Sequence, residues 1–354
     1  MQTLIPTILL ILSILFQWVS LFVTDSINSI VDSLSLQDKV TQMLMVDFRY
    51  WDENTSDSID KQGLTFMNSQ VREIIEDYNF GAVIYFAQNL TGTEQAYELT
   101  AQMQTAARKD NGVPMIICTD QEGGSVYRLG SGTALPGNMA LGATGNTDYA
   151  YMAGQIMGSE LSALGINTNL APVVDVNNNA NNPVIGLRSY GDDPTAVGEM
   201  ACATIAGMKE YGVIGCVKHF PGHGDTATDS HYGLPIVDKS LSTLKNCELK
   251  SFEVAIENGQ INNCGDNVKF IEGDLTKGID FKADIVVANL MAEMVVMLTK
   301  AVKNHMKSGA VYISSGILNE KKDMVIEALN EEGLEVIKIM DKGDWSAIAA
   351  RNNE

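Results

Sequence analysis

Pro114-Met115-Ile116-Ile117-Cys118-Thr119-Asp120-Gln121-Glu122-Gly123-Gly124 is the stretch on which the fold turns. A short apolar run rich in β-branched residues, opened by Pro and closed by Gly, reads as a strand. It stops abruptly at an acid, an amide and a second acid, so the chain leaves the strand into a polar loop. The same grammar recurs on both sides. Residues 43–48, 81–86, 167–176 and 213–217 are further continuous apolar runs, the pattern of strands buried on both faces. Between the runs lie residues 68–78, 93–108, 149–164 and 195–211, with apolar side chains at i, i+3 and i+4, the spacing of amphipathic helices. Strand and helix in alternation predict an α/β fold with a parallel sheet, open or closed into a barrel.

Polar residues gather just after these strands: Asp120-Gln121-Glu122, Asp175 with Asn177, and Lys218-His219. Loops that follow parallel strands build the active sites of such folds, which makes these positions candidates. The 354 residues are 45% hydrophobic and 19% charged, a globular composition that excludes disordered, collagen-like and disulfide-scaffold chains. That length allows one large domain or two ordinary ones. The net charge is −20, a field that repels phosphate backbones, so nucleic acid is not an expected partner. Residues 1–258 carry 13 Lys and Arg against 29 Asp and Glu, a net −16, whereas residues 259–354 carry 11 against 15, a net −4. The shift marks a domain boundary near residue 258.

Cys118, Cys202, Cys216, Cys247 and Cys264 are scattered without C-x-x-C spacing. They read as buried free thiols and not as a disulfide framework or a zinc site. From Leu4 to Val23, 20 consecutive residues carry no charge, enough as a helix to span about 30 Å of bilayer core. No Lys or Arg precedes Lys39, so charge does not orient the segment. Residues 1–33 therefore read as a retained anchor, a cleaved signal, or the product of a misplaced start. The first two place the protein at a membrane or outside the cell, the third in the cytoplasm.

Three longer segments are more specific. The first is Asp120-Gln121-Glu122-Gly123-Gly124-Ser125-Val126-Tyr127-Arg128, followed by Leu135-Pro136-Gly137-Asn138. The second runs from Asn169-Leu170-Ala171-Pro172-Val173-Val174-Asp175 to Gly186-Leu187-Arg188-Ser189-Tyr190. The third is Lys218-His219-Phe220-Pro221-Gly222-His223-Gly224-Asp225-Thr226, then Asp229-Ser230-His231. In this order they resemble the family 3 glycoside hydrolases, specifically the β-N-acetylglucosaminidases built on a (β/α)8 barrel, over residues 34–258.

The resemblance implies an enzyme that removes terminal N-acetylglucosamine from peptidoglycan-type or related glycans without a cofactor. It assigns Asp120, Arg128, Arg188, Lys218 and His219 to sugar binding, and His231 with Asp229 to acid/base catalysis. The residue types suit these tasks. A carboxylate accepts bonds from two neighbouring hydroxyls, while guanidinium, ammonium and imidazole groups donate. An imidazole gives and takes a proton near neutrality, and a carboxylate beside it fixes the tautomer. His219, His223 and His231 lie within 13 positions, but their spacing matches no common zinc pattern. Retaining hydrolysis also needs a carboxylate nucleophile, which in this family follows the seventh strand. No later segment reads as that strand, so the expectation is an incomplete barrel of about five strands with weak or no turnover. Its unpaired edges must be covered.

Residues 266–354 change character. Residues 268–271, 285–288 and 310–314 are strand-like, residues 292–306 and 320–332 helical, and Gly309 and Gly333 sit where helix C-caps are expected. Residues 334–340 and 345–350 read as a terminal antiparallel hairpin. The segments Asp284-Ile285-Val286-Val287-Ala288-Asn289 and Ser308-Gly309-Ala310-Val311-Tyr312-Ile313-Ser314 resemble the back half of a Rossmann-like class I methyltransferase. The nearest likeness is to the enzyme that methylates large-subunit ribosomal protein eleven. By that resemblance Asn289 would contact S-adenosylmethionine or the incoming amine. The glycine-rich loop and ribose-binding acid of that fold are absent upstream, so this cofactor belongs only to a methyltransferase reading. Two alternatives stand beside it: residues 283–288 as a sixth barrel strand, and a membrane-tethered, non-catalytic saccharide-binding remnant. The oligomeric state is not readable.

Overall fold

The computed structural model describes residues 27, 29–51, 63–229, 235–257, 276, 279–342 and 344–353. The apolar amino-terminal segment, His231 and the strand-like residues 268–271 lie outside that set. The chain divides into two compact units, Met1–Cys264 and Gly265–Glu354.

In the first unit β1 (Met45–Asp47), β2 (Ala82–Tyr85), β3 (Ile116–Thr119), β4 (Thr168–Asn169) and β5 (Ile214–Gly215) form one parallel sheet in sequential order. The helices are α1 (Leu36–Thr41), α2 (Ser69–Tyr78), α3 (Thr93–Ala107), α4 (Asn138–Ala143), α5 (Thr147–Ala163), α6 (Pro194–Lys209), α7 (Leu241–Asn246) and α8 (Glu248–Glu257). Their starts follow the local sequence. Asn68 caps α2 through the amide of Val71, and Asp193 caps α6 through Ala196 with Pro194 in the first turn. A Cβ at Gly154 of α5 would lie 2.1 Å from the carbonyl oxygen of Thr204 of α6. Only glycine lets these two helices approach so closely.

The sheet is buried fully on one face and only partly on the other. Val83, Tyr85 and Ile117 pack with Val71, Leu99, Met103, Leu161 and Met208 in the main core. On the opposite face Ala82 and Cys118 are buried, but Met45 is 47% exposed, Ile116 46% and Ile214 54%. In a closed barrel, side chains from all strands fill that interior; five strands leave it open. The same geometry corrects the reading of the cysteines. Cys118 is buried, but Cys216, two residues beyond Ile214 on the open side, is exposed, while Cys202 and Cys247 are intermediate. Ile117→Ala is expected to cost about 2–5 kcal/mol and Ile116→Ala less than about 1 kcal/mol, read from urea midpoints. Equal costs would contradict the difference in burial between the two faces.

In the second unit β6 (Ala283–Asn289), α9 (Ala292–Val302), β7 (Met306–Leu318), α10 (Lys322–Glu331), β8 (Leu334–Lys342) and β9 (Trp345–Asn352) form a four-stranded sheet with two helices. The strand order is β6-β7-β9-β8, parallel between β6 and β7 and antiparallel elsewhere. Val295, Val302, Tyr312, Ile317, Val325, Leu329 and Ile348 make its core. The terminal hairpin is present as β8 and β9, and Gly333 follows α10 with φ 71°. Two expectations need correction. The helix expected over 292–306 ends at Val302, because Met306 is fully buried as the first residue of β7, and Gly309 (φ 79°) lies within that strand. The segment 283–288 pairs with β7 in its own sheet and is not a sixth strand of the first one. Among the described residues, no helix is long and apolar enough to cross a membrane.

Candidate active site

Three strand ends of the first unit converge. After β3, the buried amide of Asn169 on β4 clips the loop in place: its Nδ2 donates to the carbonyl of Gln121 at 2.8 Å, and the Gln121 amide returns to its Oδ1 at 2.9 Å. The chain then turns through Gly123 (φ 85°) and Gly124 (φ 59°), conformations that favour glycine. Lys218 continues the line of β5, its carbonyl accepting from Val174 at 2.8 Å. Arg188 arrives from a short turn at Gly186–Arg188, held by Asn138 Nδ2 on its carbonyl at 2.7 Å.

Glu122 sits at the centre. Arg188 grips it with both arms of the guanidinium, Nε to Oε2 at 2.9 Å and Nη2 to Oε1 at 2.8 Å. Lys218 Nζ lies 2.6 Å from Glu122 Oε1 and 2.6 Å from Asp120 Oδ1, bridging the two acids. The Glu122 side chain is 2% exposed and that of Asp120 19%. Burial works against the Glu122 charge, yet Arg188 and Lys218 more than offset it and hold its carboxyl below the usual range. Burial likewise opposes the Arg188 charge, and Glu122 more than compensates, so the guanidinium is raised.

A second acid organises the histidines. Asp175, 1% exposed, receives the His223 amide at 2.6 Å on Oδ1 and lies 2.6 Å from His219 Nδ1 through Oδ2. His219 Nε2 faces Arg188 Nη2 at 3.3 Å. A guanidinium only donates, so Nε2 is the acceptor and Nδ1–H donates to Asp175. The carboxylate thus sets the tautomer of His219 from below, and the ring, 34% exposed, looks out of the loop cluster. The arrangement is a rim of acid and base at strand ends, three carboxylates set against Arg188, Lys218 and the His219 ring. It suits a neutral polyol whose hydroxyls both donate and accept.

Of the residues singled out in the sequence, Asp120, Arg188, Lys218 and His219 come together in one bonded cluster. Arg128 stands apart: among the described residues no hydrogen bond or ion pair joins its guanidinium to that cluster, and its buried Nε has no partner. Asp229 is half-buried at the end of a described stretch, and His231, expected beside it, is outside that stretch. Asn289 ends β6 opposite Ser315; its side chain is outside what is described. Glu122 and Asp175 were visible only as members of polar clusters after strands, without the central roles they hold. Among the described residues no group of three or more His, Cys, Asp or Glu is placed to hold a metal ion.

Residues 35–262 match the family described as glycosyl hydrolase family 3 N terminal domain, more than half of the chain. The chain belongs to glycosyl hydrolase family 3. Beta-hexosaminidase A of Pseudoalteromonas piscicida is 40% identical over 232 residues, covering 63% of this chain and 39% of that protein. A beta-hexosaminidase of Neisseria meningitidis serogroup C is 36% identical over 201 residues, 54% of each. Among solved structures, a family 3 β-N-acetylglucosaminidase from Paenibacillus sp. superposes with a TM-score of 0.59 at 31% identity, covering 84% of this chain and 58% of that one. NagZ of Neisseria gonorrhoeae in complex with N-trifluoroacetyl-D-glucosamine superposes with a TM-score of 0.52 at 31% identity, covering 61% and 60%. This family 3 chain therefore spans about half the length of the curated relatives it matches, or less. Residues 247–353 match a second family, described as ribosomal protein L11 methyltransferase (PrmA).

Proposed function

We propose that the family 3 unit is the sugar-recognition half of a β-N-acetylhexosaminidase-type glycoside hydrolase, acting on terminal N-acetylglucosamine of peptidoglycan-type or related glycans. The observation that carries this reading is the bonded cluster of Asp120, Glu122, Arg188, Lys218 and His219 at the strand ends. Asp120, the more exposed acid, accepts from two sugar hydroxyls; Arg188, Lys218 and His219 complete the contacts, and Arg128 joins from its own loop. His231, paired with Asp229, is the acid/base. No cofactor enters the reaction. The carboxylate nucleophile that retaining hydrolysis requires has no counterpart in the sequence, so turnover is weak or nil.

The second unit is read as the carboxy-terminal half of a class I methyltransferase fold, supported by the family match and by a mixed sheet that ends in an antiparallel hairpin. S-adenosylmethionine belongs to it only as a second reading, resting on Asn289. The apolar segment 4–23 is read as an export signal or a membrane anchor. A chromogenic N-acetylglucosaminide tests the hydrolase reading: release of product near background is expected. Steady multiple turnover that disappears in His231→Ala would show that a nucleophile is present after all.

A further inference from the structure

Two half-buried side chains outside the bonded cluster meet at the same end of the sheet. The guanidinium of Arg49 lies over the ring of Phe86, its Cζ 3.3 Å from the centroid. Strand register fixes where they stand. β1 pairs with β2 through Asp47 and Ile84, and β2 pairs with β3 through Tyr85 and Thr119. Continued past these pairs, the three neighbouring strands bring Arg49, Phe86 and Asp120 into one row, with about 4.8 Å between strands at each step. Buried Asn89 holds the row. Its Oδ1 accepts from the Phe86 amide at 3.0 Å, and its Nδ2 donates to the carbonyls of Leu64 at 3.0 Å and Arg49 at 3.4 Å. The Arg49 amide donates in turn to Asp47 Oδ1 at 2.6 Å.

Asp120 therefore has cations on both sides. Toward β4 and β5 stand Arg188 and Lys218, both already bonded to Glu122. Toward β1 stands Arg49, whose one ion pair among the described residues is loose: Nη2 to Asp47 Oδ2 at 3.5 Å, with side chains 33% and 44% exposed. A pair that open contributes little and yields to a competing anion. The Arg49 Nε is buried with no partner among the described residues, so the guanidinium carries donor capacity that the fold does not use. A guanidinium resting on an aromatic face keeps its in-plane edge for a forked acceptor. The chain carries a net charge of −20, a field that an acidic ligand overcomes only where a cation receives it. We propose that Arg49, braced on Phe86, is a second binding point beside Asp120, taking a carboxylate carried on the saccharide unit next to the N-acetylglucosamine. The proposal rests on the sugar site at Asp120; the row itself rests on strand register.

Calorimetric titration of the full chain with two disaccharides tests it. One is N-acetylglucosamine linked to N-acetylmuramic acid, whose lactyl ether ends in a carboxylate; the other is the same molecule with that carboxyl converted to an amide. The acid is expected to bind at least about tenfold more tightly than the amide, and the preference to vanish in Arg49→Met. Arg49→Lys, which keeps the charge without the fork, should reduce the preference, and it decides the matter should Arg49→Met fail to fold. Equal affinity of the two disaccharides in the unsubstituted chain overturns the proposal. So does a preference that persists undiminished in the Arg49 variants, which would put the carboxylate on another cation. N-acetylglucosamine alone, titrated alongside, separates the two readings. Its failure to bind overturns the sugar site, whereas the disaccharide comparison decides the carboxylate contact.

Discussion

Glu122→Ala is expected to lower the stability of the first unit by about 3–5 kcal/mol, the cost of breaking a buried ionic group from one side. The carboxylate accepts both arms of Arg188 and the ammonium of Lys218 while almost fully buried. Without it, two cations are left close together with Asp120 and Asp175 as their remaining near counter-charges, and the loops after β3 and β5 lose their common partner. Glu122→Gln, which keeps the shape but not the charge, should be intermediate. The two variants also carry a pH signature. The folded carboxyl lies below its usual value because Arg188 and Lys218 outweigh burial. Its contribution is therefore complete above the unfolded pKa of about 4.3. It is lost as pH falls through the lower folded value. Thermal midpoints recorded from about pH 7 downward should fall more steeply below about pH 4 in the unsubstituted chain than in Glu122→Gln. Parallel curves would remove Glu122 from its place as the charged centre.

Asp120→Ala is expected to weaken N-acetylglucosamine binding at least about a hundredfold while costing less stability than Glu122→Ala. Each hydrogen bond to a charged group contributes about 1.5–3 kcal/mol, and about 1.4 kcal/mol is tenfold in affinity, so two lost bonds account for the change. The stability arm follows from exposure: Asp120 is partly open, and its partner Lys218 retains Glu122. Calorimetric titration together with a urea melt separates the two effects. Unaltered affinity in a folded Asp120→Ala chain would place the sugar elsewhere.

The strand-and-helix alternation was legible because it depends on local pattern. The apolar runs ending at Asp120 and Lys218 became β3 and β5, and the polar residues after them became the rim. Three things were not legible. Continuous apolar runs at 114–119 and 213–217 do not distinguish strands buried on both faces from strands in an unfinished barrel. Ile116 and Ile117 point to opposite faces, and among the described residues no sixth strand extends this sheet on the Ile116 side. The hierarchy within the site was also hidden. Glu122 looks like any acid in a polar triplet, and only the meeting of three loops makes it the group that Arg188 and Lys218 share. In the second unit the hairpin was readable from turn residues and alternation, but the end of α9 was not. Met306 suits a helix by propensity, and the buried start of β7 claims it.

The most direct measurement is a calorimetric titration of the full chain with N-acetylglucosamine and, separately, with S-adenosylmethionine. Saturable heat is expected with the sugar, lost in Asp120→Ala, and none with the methyl donor. Saturable binding of S-adenosylmethionine with no response to N-acetylglucosamine would contradict that expectation and move the functional centre of this protein to its second unit.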